Sequence, residues 1–153
     1  MSDVSLAYHR VLLKLSGEAL MGNADFGFEP QGINRIVAEL HHVVRLGVEL
    51  GLVIGGGNIF RGAQLKASGI DSVSADYMGM LATVMNGLAM QDALAKVGIE
   101  ARVMSALQID SVCENYSQQR ASSSLEKRPS GDFCGRHGQS FFYNRFSGEF
   151  TRY

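Results

Sequence analysis

The sequence predicts an α/β fold with a mainly parallel sheet and helices on its faces. Strand and helix patterns alternate over the first two-thirds of the 153 residues. The composition, 46% hydrophobic and 19% charged, suits one globular domain. An apolar strand pattern also stops abruptly at three glycines, as happens where a parallel strand ends at a ligand site.

The first strand is predicted over residues 9–15, and a first helix follows it. Between them lies a loop rich in Gly, Asn and Asp, Gly22 to Gly27. Pro30 is tolerated in a first helical turn, and Gly47 ends the helix. Its apolar residues recur at helical spacing: Ile33, Ile36, Val37, Leu40, Val43 and Val44.

A second strand, a long helix and a third strand continue the alternation. The predicted bounds are Val48 to Ile54, Ser74 to Lys96 and Ala101 to Ala106, with Gly98 after the helix. The long helix carries apolar residues near one face: Met78, Leu81, Met85, Leu88 and Ala95. Its methionines, Met90 among them, are expected to fill a core or a subunit interface. The β-α-β-α-β order favours parallel strands joined by crossover helices.

The glycine turn after the second strand has the composition of a phosphate site. Gly55, Gly56 and Gly57 lack Cβ atoms, which lets the backbone adopt positive φ and approach a ligand closely. Arg61 offers a fork of donors suited to phosphate. A plain glycine-rich turn with a surface arginine fits the same residues.

The carboxyl ends of the first two strands are predicted to be neighbours. Residues 14–17, Lys-Leu-Ser-Gly, close one strand, and residues 55–58 close the other. Together they would hold a polyphosphate, with Lys14 stabilising charge on a transferring phosphoryl group. A strand-end lysine reaching for solvent is the alternative for Lys14. Asp76 is expected to cap the long helix or to accept a bond from a sugar hydroxyl.

Charge and cysteine usage exclude several function classes. The net charge of −1 gives no bulk attraction to nucleic acid or to a membrane surface. No apolar stretch reaches the length of a membrane span, and the N-terminus lacks a signal-peptide pattern, so a cytoplasmic protein is expected. Cys113 and Cys134 form no C-x-x-C motif, and neither a disulfide nor a metal site is predicted, even at the Cys134/His137 pair.

Several segments together resemble the bacterial uridylate (UMP) kinases of the amino-acid kinase superfamily. They are K-L-S-G-E-A-L at 14–20, F-G at 26–27, V-I-G-G-G-N-I-F-R-G at 53–62, D-Y-M-G-M-L-A-T-V-M-N-G-L-A-M-Q-D-A-L at 76–94, R-V-M-S-A at 102–106 and V-C-E-N-Y at 112–116. The resemblance covers residues 8–121. The long methionine-rich helix distinguishes this family from acetylglutamate-type kinases, which share mainly the lysine strand and the glycine turn.

This resemblance implies a three-layer α/β/α fold and a reaction. The implied enzyme phosphorylates UMP to UDP with ATP and Mg²⁺ in pyrimidine biosynthesis. It is a cytoplasmic homohexamer that GTP activates and UTP inhibits.

The same resemblance implies the site residues position by position. The implied catalytic residues are Lys14 and Arg61. The ATP positions are Lys14, Leu15, Ser16, Gly17, Gly57 and Arg61. The UMP positions are Gly56 and Asp76. The region linked to GTP is Gly22, Asn23, Ala24, Asp25, Phe26 and Gly27.

The chain departs from the family pattern near residue 127. Residues 1–127 are interpreted as the N-terminal part of an amino-acid kinase domain, and residues 128–153 as a tail without a strand or helix period. Read one base out of frame, permitted codons of the tail give G-R-V-V-I-F-A-A-G-T-G-N-P-F-F-T-T-D, the family's next strand and UMP loop. We therefore expect a displaced reading frame, a truncated fold, and weak or absent kinase activity.

Two further functions fit the residues. One is a non-catalytic nucleotide- or anion-binding protein of the same fold, as in the related molybdenum storage protein. The intact Lys14 and Asp76 segments argue against it. The other is a subunit that only associates with a full-length kinase, through the methionine-rich helix.

Overall fold

A single parallel sheet organises the computed structural model, which describes residues 6–60, 67–126 and 140–144. The strands in these ranges are β1 (Arg10–Leu15), β2 (Glu49–Ile54), β3 (Ala101–Ser105), β4 (Glu114–Asn115) and β5 (Ser140–Asn144). The helices are α1 (Pro30–Arg45), α2 (Ser72–Lys96) and α3 (Gln118–Glu126), with a short 3-10 helix at Gly17–Leu20. The strand order is β1-β2-β5-β3-β4, and every pairing is parallel.

The connections divide the helices between two faces of the sheet. The crossovers through α1 and α2 run in one direction across the sheet, and these helices pack on each other. The connection from β4 through α3 returns in the opposite direction to β5, which α3 contacts. Because such crossovers are right-handed, α3 belongs to the opposite face. The predicted parallel α/β fold with helices on both faces is confirmed.

The main core lies between the sheet and the pair α1 and α2. Strand residues at alternate positions point into it, as the pleat requires. Its most deeply buried members include Leu20, Leu40, Val44, Leu50, Leu52, Met90 and Leu94. This core fixes the carboxyl ends of β1 and β2 in space.

The other face of β1 is open at its outer edge. Arg10, Leu12 and Lys14 share this face by the two-residue period, and Leu12 is 58% exposed. Arg10 Nε donates to Glu49 Oε2 at 2.6 Å across the β1–β2 pair. Lys14 therefore lies at the carboxyl end of an accessible sheet face.

The helix ends agree with the predicted turn residues, with one correction. Gly47 and Gly98 follow α1 and α2 with positive φ angles of 89° and 79°. The start of α2 is capped by Asp71, whose carboxylate accepts from the N–H groups of Val73 and Ser74 at 3.0 and 3.3 Å. Asp76 is four residues inside the helix, so its predicted capping role is wrong.

The apolar stripe predicted on α2 is divided: Leu88 packs against the core, whereas other members are exposed. Leu81 and Met85 are 47% and 48% exposed, whereas Met90 is fully buried as expected. The buried side of α2 consists of Ala75, Ala82, Val84, Asn86, Gly87, Met90, Ala93 and Leu94. Its small residues let the helix approach the sheet closely. None of the described helices is both long enough and apolar enough for a membrane crossing.

One segment of the tail forms a strand, where no regular element was predicted. The backbone of β5 pairs with β2 at residues 140–143 and with β3 at residues 140–144. Phe141, Phe142 and Tyr143 have high strand propensity, and the gap between β2 and β3 offers unpaired backbone groups on both sides. Residue 127 and the other tail residues, 128–139 and 145–153, lie outside the described part of the chain.

Candidate phosphate-binding crevice

The ends of β1 and β2 are direct neighbours, as the strand order predicts. Leu15 is in register with Ile54, and Gly55 N–H donates to the carbonyl oxygen of Leu15 at 3.0 Å. A Cβ atom at Gly17 would overlap the carbonyl oxygen of Gly55 and Oδ1 of Asn58. Only glycine fits at residue 17, because the two strand ends approach so closely.

The Lys-Leu-Ser-Gly segment turns directly from strand into helix. Lys14 is exposed and in register with Val53, so its side chain rises from the open sheet face beside β2. Ser16 caps the 3-10 helix by accepting from Glu18 N–H at its Oγ, at 3.3 Å. The ammonium group of Lys14 is thus available above the point where both strands end.

The glycine turn uses its glycines for packing, which corrects the sequence prediction. The described glycines with positive φ are Gly22, Gly27, Gly47, Gly69 and Gly98, so residues 55–57 do not use the positive φ that glycine permits. A Cβ at Gly56 would lie 2.8 Å from the carbonyl oxygen of Gly79 and 2.9 Å from Cβ of Ala82. Residue 56 is therefore glycine because the turn is pressed against α2.

Gly57 has a more open environment than Gly56. The nearest atom to a Cβ built there is Glu18 Oε1, at 4.0 Å. The turn continues with Ile59 and Phe60, whose N–H groups both donate to the carbonyl oxygen of Gly56 at 3.0 Å. A ligand can approach the backbone at Gly57 without displacing α2.

The loop Gly22 to Gly27 packs against the glycine turn. Gly22 and Gly27 have positive φ angles of 59° and 78°. Gly27 N–H donates to the carbonyl oxygen of Asn58 at 2.7 Å, and Asn23 N–H donates to Glu29 Oε2 at 2.9 Å. Phe26, at the tip, is 66% exposed. The loop is closed on itself and also attached to the candidate site.

Two buried asparagines, which the sequence analysis did not assign, connect the turn to α2. Asn58 is 2% exposed and Asn86 is fully buried. Their side-chain amides bond each other reciprocally, at 3.0 and 2.7 Å. The sequence does contain a signal for Asn86, because an amide in an apolar stretch of helix needs a buried hydrogen-bond partner.

The candidate UMP positions lie along the same helix contact. Asp76 is half-buried on α2, about one helical turn before Gly79, whose carbonyl oxygen faces Gly56. Asp76 is therefore on the part of α2 that contacts the glycine turn at Gly56. Arg61, the second predicted cation, lies outside the described residues.

Cys113 lies apart from this site, by the β3–β4 edge of the sheet. Burial raises the pKa of its thiol, the carboxylate of Asp110 adds to this, and a hydrogen bond with Ser105 offsets part of the increase. The thiol is therefore protonated at neutral pH. In the described residues, no three or more His, Cys, Asp or Glu side chains form a group that could hold a metal ion.

The fold and the crevice together define a class of protein. Adjacent ends of parallel strands, one with a lysine and one with a glycine turn, are typical of α/β proteins that bind phosphate groups. The sequence identifies the family within that class. Residues 9–138 match the model of the amino acid kinase family, and the chain belongs to this family.

Curated relatives are uridylate kinases. The chain is 56% identical over 137 residues to the uridylate kinase of Xanthomonas axonopodis pv. citri, covering 90% of this chain and 57% of the relative. It is 56% identical over 120 residues to that of Dichelobacter nodosus, covering 78% of this chain and 50% of the relative. The chain therefore spans about half the length of the curated relatives it matches.

Solved structures give the same result. The UMP kinase from Bacillus anthracis aligns with a TM-score of 0.77 and 37% identity, over 89% of this chain and 52% of that chain. The UMP kinase from Ureaplasma parvum aligns with a TM-score of 0.74 and 29% identity, over 89% of this chain and 54% of that one. The fold of this chain is thus the N-terminal part of the amino acid kinase fold.

Proposed function

We propose that this chain carries the substrate crevice of a UMP kinase, which transfers the γ-phosphoryl group of ATP to UMP in pyrimidine nucleotide biosynthesis. The main support is the contact between the two strand ends. Gly55 N–H donates to the carbonyl oxygen of Leu15 at 3.0 Å, next to the exposed Lys14. The family membership and the names of the relatives support the choice of reaction.

In this proposal each segment of the crevice has one task. Residues 14–17, Gly57 and Arg61 bind ATP, and Lys14 offsets the charge that develops on the transferring group. Gly56 and Asp76 face UMP, where the carboxylate accepts a bond from a ribose hydroxyl. Phosphoryl transfer breaks the bond between the γ-phosphorus and ADP and forms one to a phosphate oxygen of UMP, so holding both anions in line supplies most of the catalysis.

Mg²⁺ enters this proposal together with ATP. The described residues contain no cluster of acidic or other ligand side chains suited to a cage built wholly from protein. Mg²⁺ usually keeps several waters and binds substrate phosphates, which fits a crevice that supplies a lysine and backbone N–H groups. The ion would reduce the negative charge on the phosphates, while the chain positions them.

Regulation and assembly extend the proposal. The loop Gly22 to Gly27 is the candidate region for activation by GTP, and its bond to Asn58 gives it contact with the crevice. UTP inhibits by occupying nucleotide sites. The exposed residues Tyr77, Leu81 and Met85 on α2 support association between copies of this chain, with a homohexamer in the cytoplasm as the expected form.

Equilibrium binding of ATP and UMP, with Mg²⁺ present, tests the proposal. We expect Lys14→Met to weaken ATP binding at least about tenfold, because a charge-assisted bond to phosphate is lost. The matched control is Lys96→Met, since Lys96 is exposed and pairs with Asp92 at the far end of α2, at 2.6 Å. Absence of binding, or equal effects of both variants, contradicts the proposal.

Turnover distinguishes the kinase from a non-catalytic binding protein. UDP formation from UMP and ATP is measured on the same preparation. Because the chain spans about half the length of its relatives, we expect binding with weak or absent turnover. Binding with turnover that Lys14→Met abolishes would establish a complete kinase site in this chain.

A further inference from the structure

We propose that Asn58 and Asn86 are positioning residues that hold the loop Gly22 to Gly27, the glycine turn and α2 in one fixed arrangement. We call these two side chains the amide pair. Neither residue was assigned a role from the sequence. The role of this arrangement in nucleotide binding rests on the proposed function. The arrangement itself rests on the observed contacts alone.

The hydrogen bonds of the amide pair are complete. Asn58 Nδ2 donates to the carbonyl oxygen of Gly27 at 2.9 Å and to Asn86 Oδ1 at 3.0 Å. Asn86 Nδ2 donates to the carbonyl oxygen of Gly55 at 2.8 Å and to Asn58 Oδ1 at 2.7 Å. Both protons of each NH₂ group are used, and each side-chain oxygen accepts one bond. A buried network whose hydrogen bonds are all made holds the orientation of the bonded groups as well as their separation.

The amide pair links segments that are distant in the sequence. Asn58 belongs to the glycine turn and lies 31 residues from Gly27 and 28 residues from Asn86. Gly27 is attached to Asn58 twice, by its N–H at 2.7 Å and by its carbonyl oxygen at 2.9 Å. The loop is therefore expected to move with the turn. Gly17 of the first strand end also approaches Asn58 Oδ1, so both halves of the crevice meet at this pair.

Apolar side chains would serve if the only task were to fill space. The neighbouring buried positions of α2 are Ala82, Gly87 and Met90, so this surface tolerates small and apolar groups. A buried amide brings a desolvation cost that only a complete set of bonds offsets. We infer that the amides are used because they determine where the carbonyl groups of Gly27 and Gly55 are held.

The test compares Asn58→Ala with Asn86→Ala. Both remove one amide from the same buried pair, but only Asn58→Ala removes the side-chain bond to the carbonyl oxygen of Gly27. Gln91→Ala is the control, because Gln91 is also an amide on α2 and donates to the carbonyl oxygen of Ala101 at 2.7 Å, outside the crevice. The main measurement is hydrogen exchange of the Gly27 amide by NMR.

We expect Asn58→Ala to accelerate exchange at Gly27 at least about tenfold more than Asn86→Ala does. Gln91→Ala should leave that rate within about twofold of the unmodified chain. A purely structural role predicts equal acceleration by both pair variants, and that result would overturn the proposal. If a variant does not fold, hydrogen exchange in the unmodified chain is measured instead. Gly27 N–H and Asn58 Nδ2–H should then exchange at similar rates. Much faster exchange at Gly27 would reject the proposal.

Nucleotide binding supplies an independent arm. Asn58→Ala should weaken both ATP and UMP, whereas Gln91→Ala should weaken neither. If Asn58→Ala and Gln91→Ala bind ATP and UMP with equal affinity, the amide pair does not position the crevice for nucleotide binding. If the unmodified chain binds neither nucleotide, the proposed function fails, and the exchange comparison still decides whether the amide pair holds the loop.

Discussion

The two sides of α2 differ where the helix passes the glycine turn. On the inner side, the carbonyl oxygen of Gly79 and the methyl of Ala82 contact the glycine turn, and Asn86 is fully buried. On the outer side, Leu81 and Met85 are about half exposed. A surface helix normally buries its large apolar residues and exposes polar ones. Beside the glycine turn, the small residue Ala82 and the amide Asn86 are inside, whereas Met90 and Leu94 farther along the helix are buried in the usual way.

This difference shows that two separate requirements shaped one helix. The inner side must let a glycine turn approach to within van der Waals distance, which large side chains would prevent. The outer side has apolar area that the described part of the chain does not cover, as expected of a surface that meets another copy. We propose that the inner side contributes to the substrate crevice and that the outer side takes part in assembly.

The largest effect is expected where α2 meets the turn. Gly56→Ala inserts a methyl 2.8 Å from a backbone oxygen that cannot rotate away, so we expect a loss of about 1–3 kcal/mol in the free energy of unfolding. Gly79→Ala is the matched control, because a Cβ there meets nothing within 4 Å. As a helix-interior change it should stabilise by about 0.4–1 kcal/mol. Urea denaturation measures both.

If the contact of Gly56 with α2 is what matters, Gly56→Ala must lower the free energy of unfolding and Gly79→Ala must raise it. A loss below about 0.5 kcal/mol in Gly56→Ala would show that the turn can move away from α2. Equal losses in both variants would show that glycine flexibility, and not the contact, is what matters at these positions.

A smaller effect on folding, but a clear one on association, is expected at the outer side. The double variant Leu81→Lys/Met85→Lys should keep its free energy of unfolding within about 0.5 kcal/mol per site, since both side chains are half exposed. Its self-association should weaken at least about tenfold, because charges are placed in an apolar interface. Sedimentation equilibrium measures the association.

Val112→Lys is the control for added charge, because Val112 is 45% exposed and lies in the segment before β4, not on α2. It should leave association unchanged. A chain that is monomeric before any substitution, or a double variant that associates as tightly as the unmodified chain, would remove the assembly role from the outer side.

Much of the fold was predictable because local signals determine it. Pro30 and Gly47 bracket α1 closely, and the strand patterns place β1, β2 and β3 within one residue of their observed ends. Alternating strands and helices then imply parallel neighbours, which brings the Lys14 segment beside the glycine turn. These inferences need only short-range propensity and the handedness of crossovers.

Other features depend on tertiary contacts that a sequence pattern does not specify. The apolar spacing of α2 identifies a stripe but not what covers it, so the sequence left Met85 open between a core and a subunit interface, and it is half exposed. The glycines at 55–57 suggested positive φ, whereas Gly56 is needed for its contact with Ala82. The strand β5 was missed because its place in the sheet comes from the gap between β2 and β3.

An NMR titration of the ¹⁵N-labelled chain can show, residue by residue, whether nucleotide phosphates bind where β1 and β2 end. ATP with Mg²⁺ should shift the amides of Gly17 and Gly57 in a saturable manner, and UMP should shift that of Gly56. Amides beside Cys113, at the other side of the sheet, should stay unchanged and serve as the internal control. Unshifted crevice amides at millimolar nucleotide, or saturable shifts confined to the region of Cys113, would contradict the account.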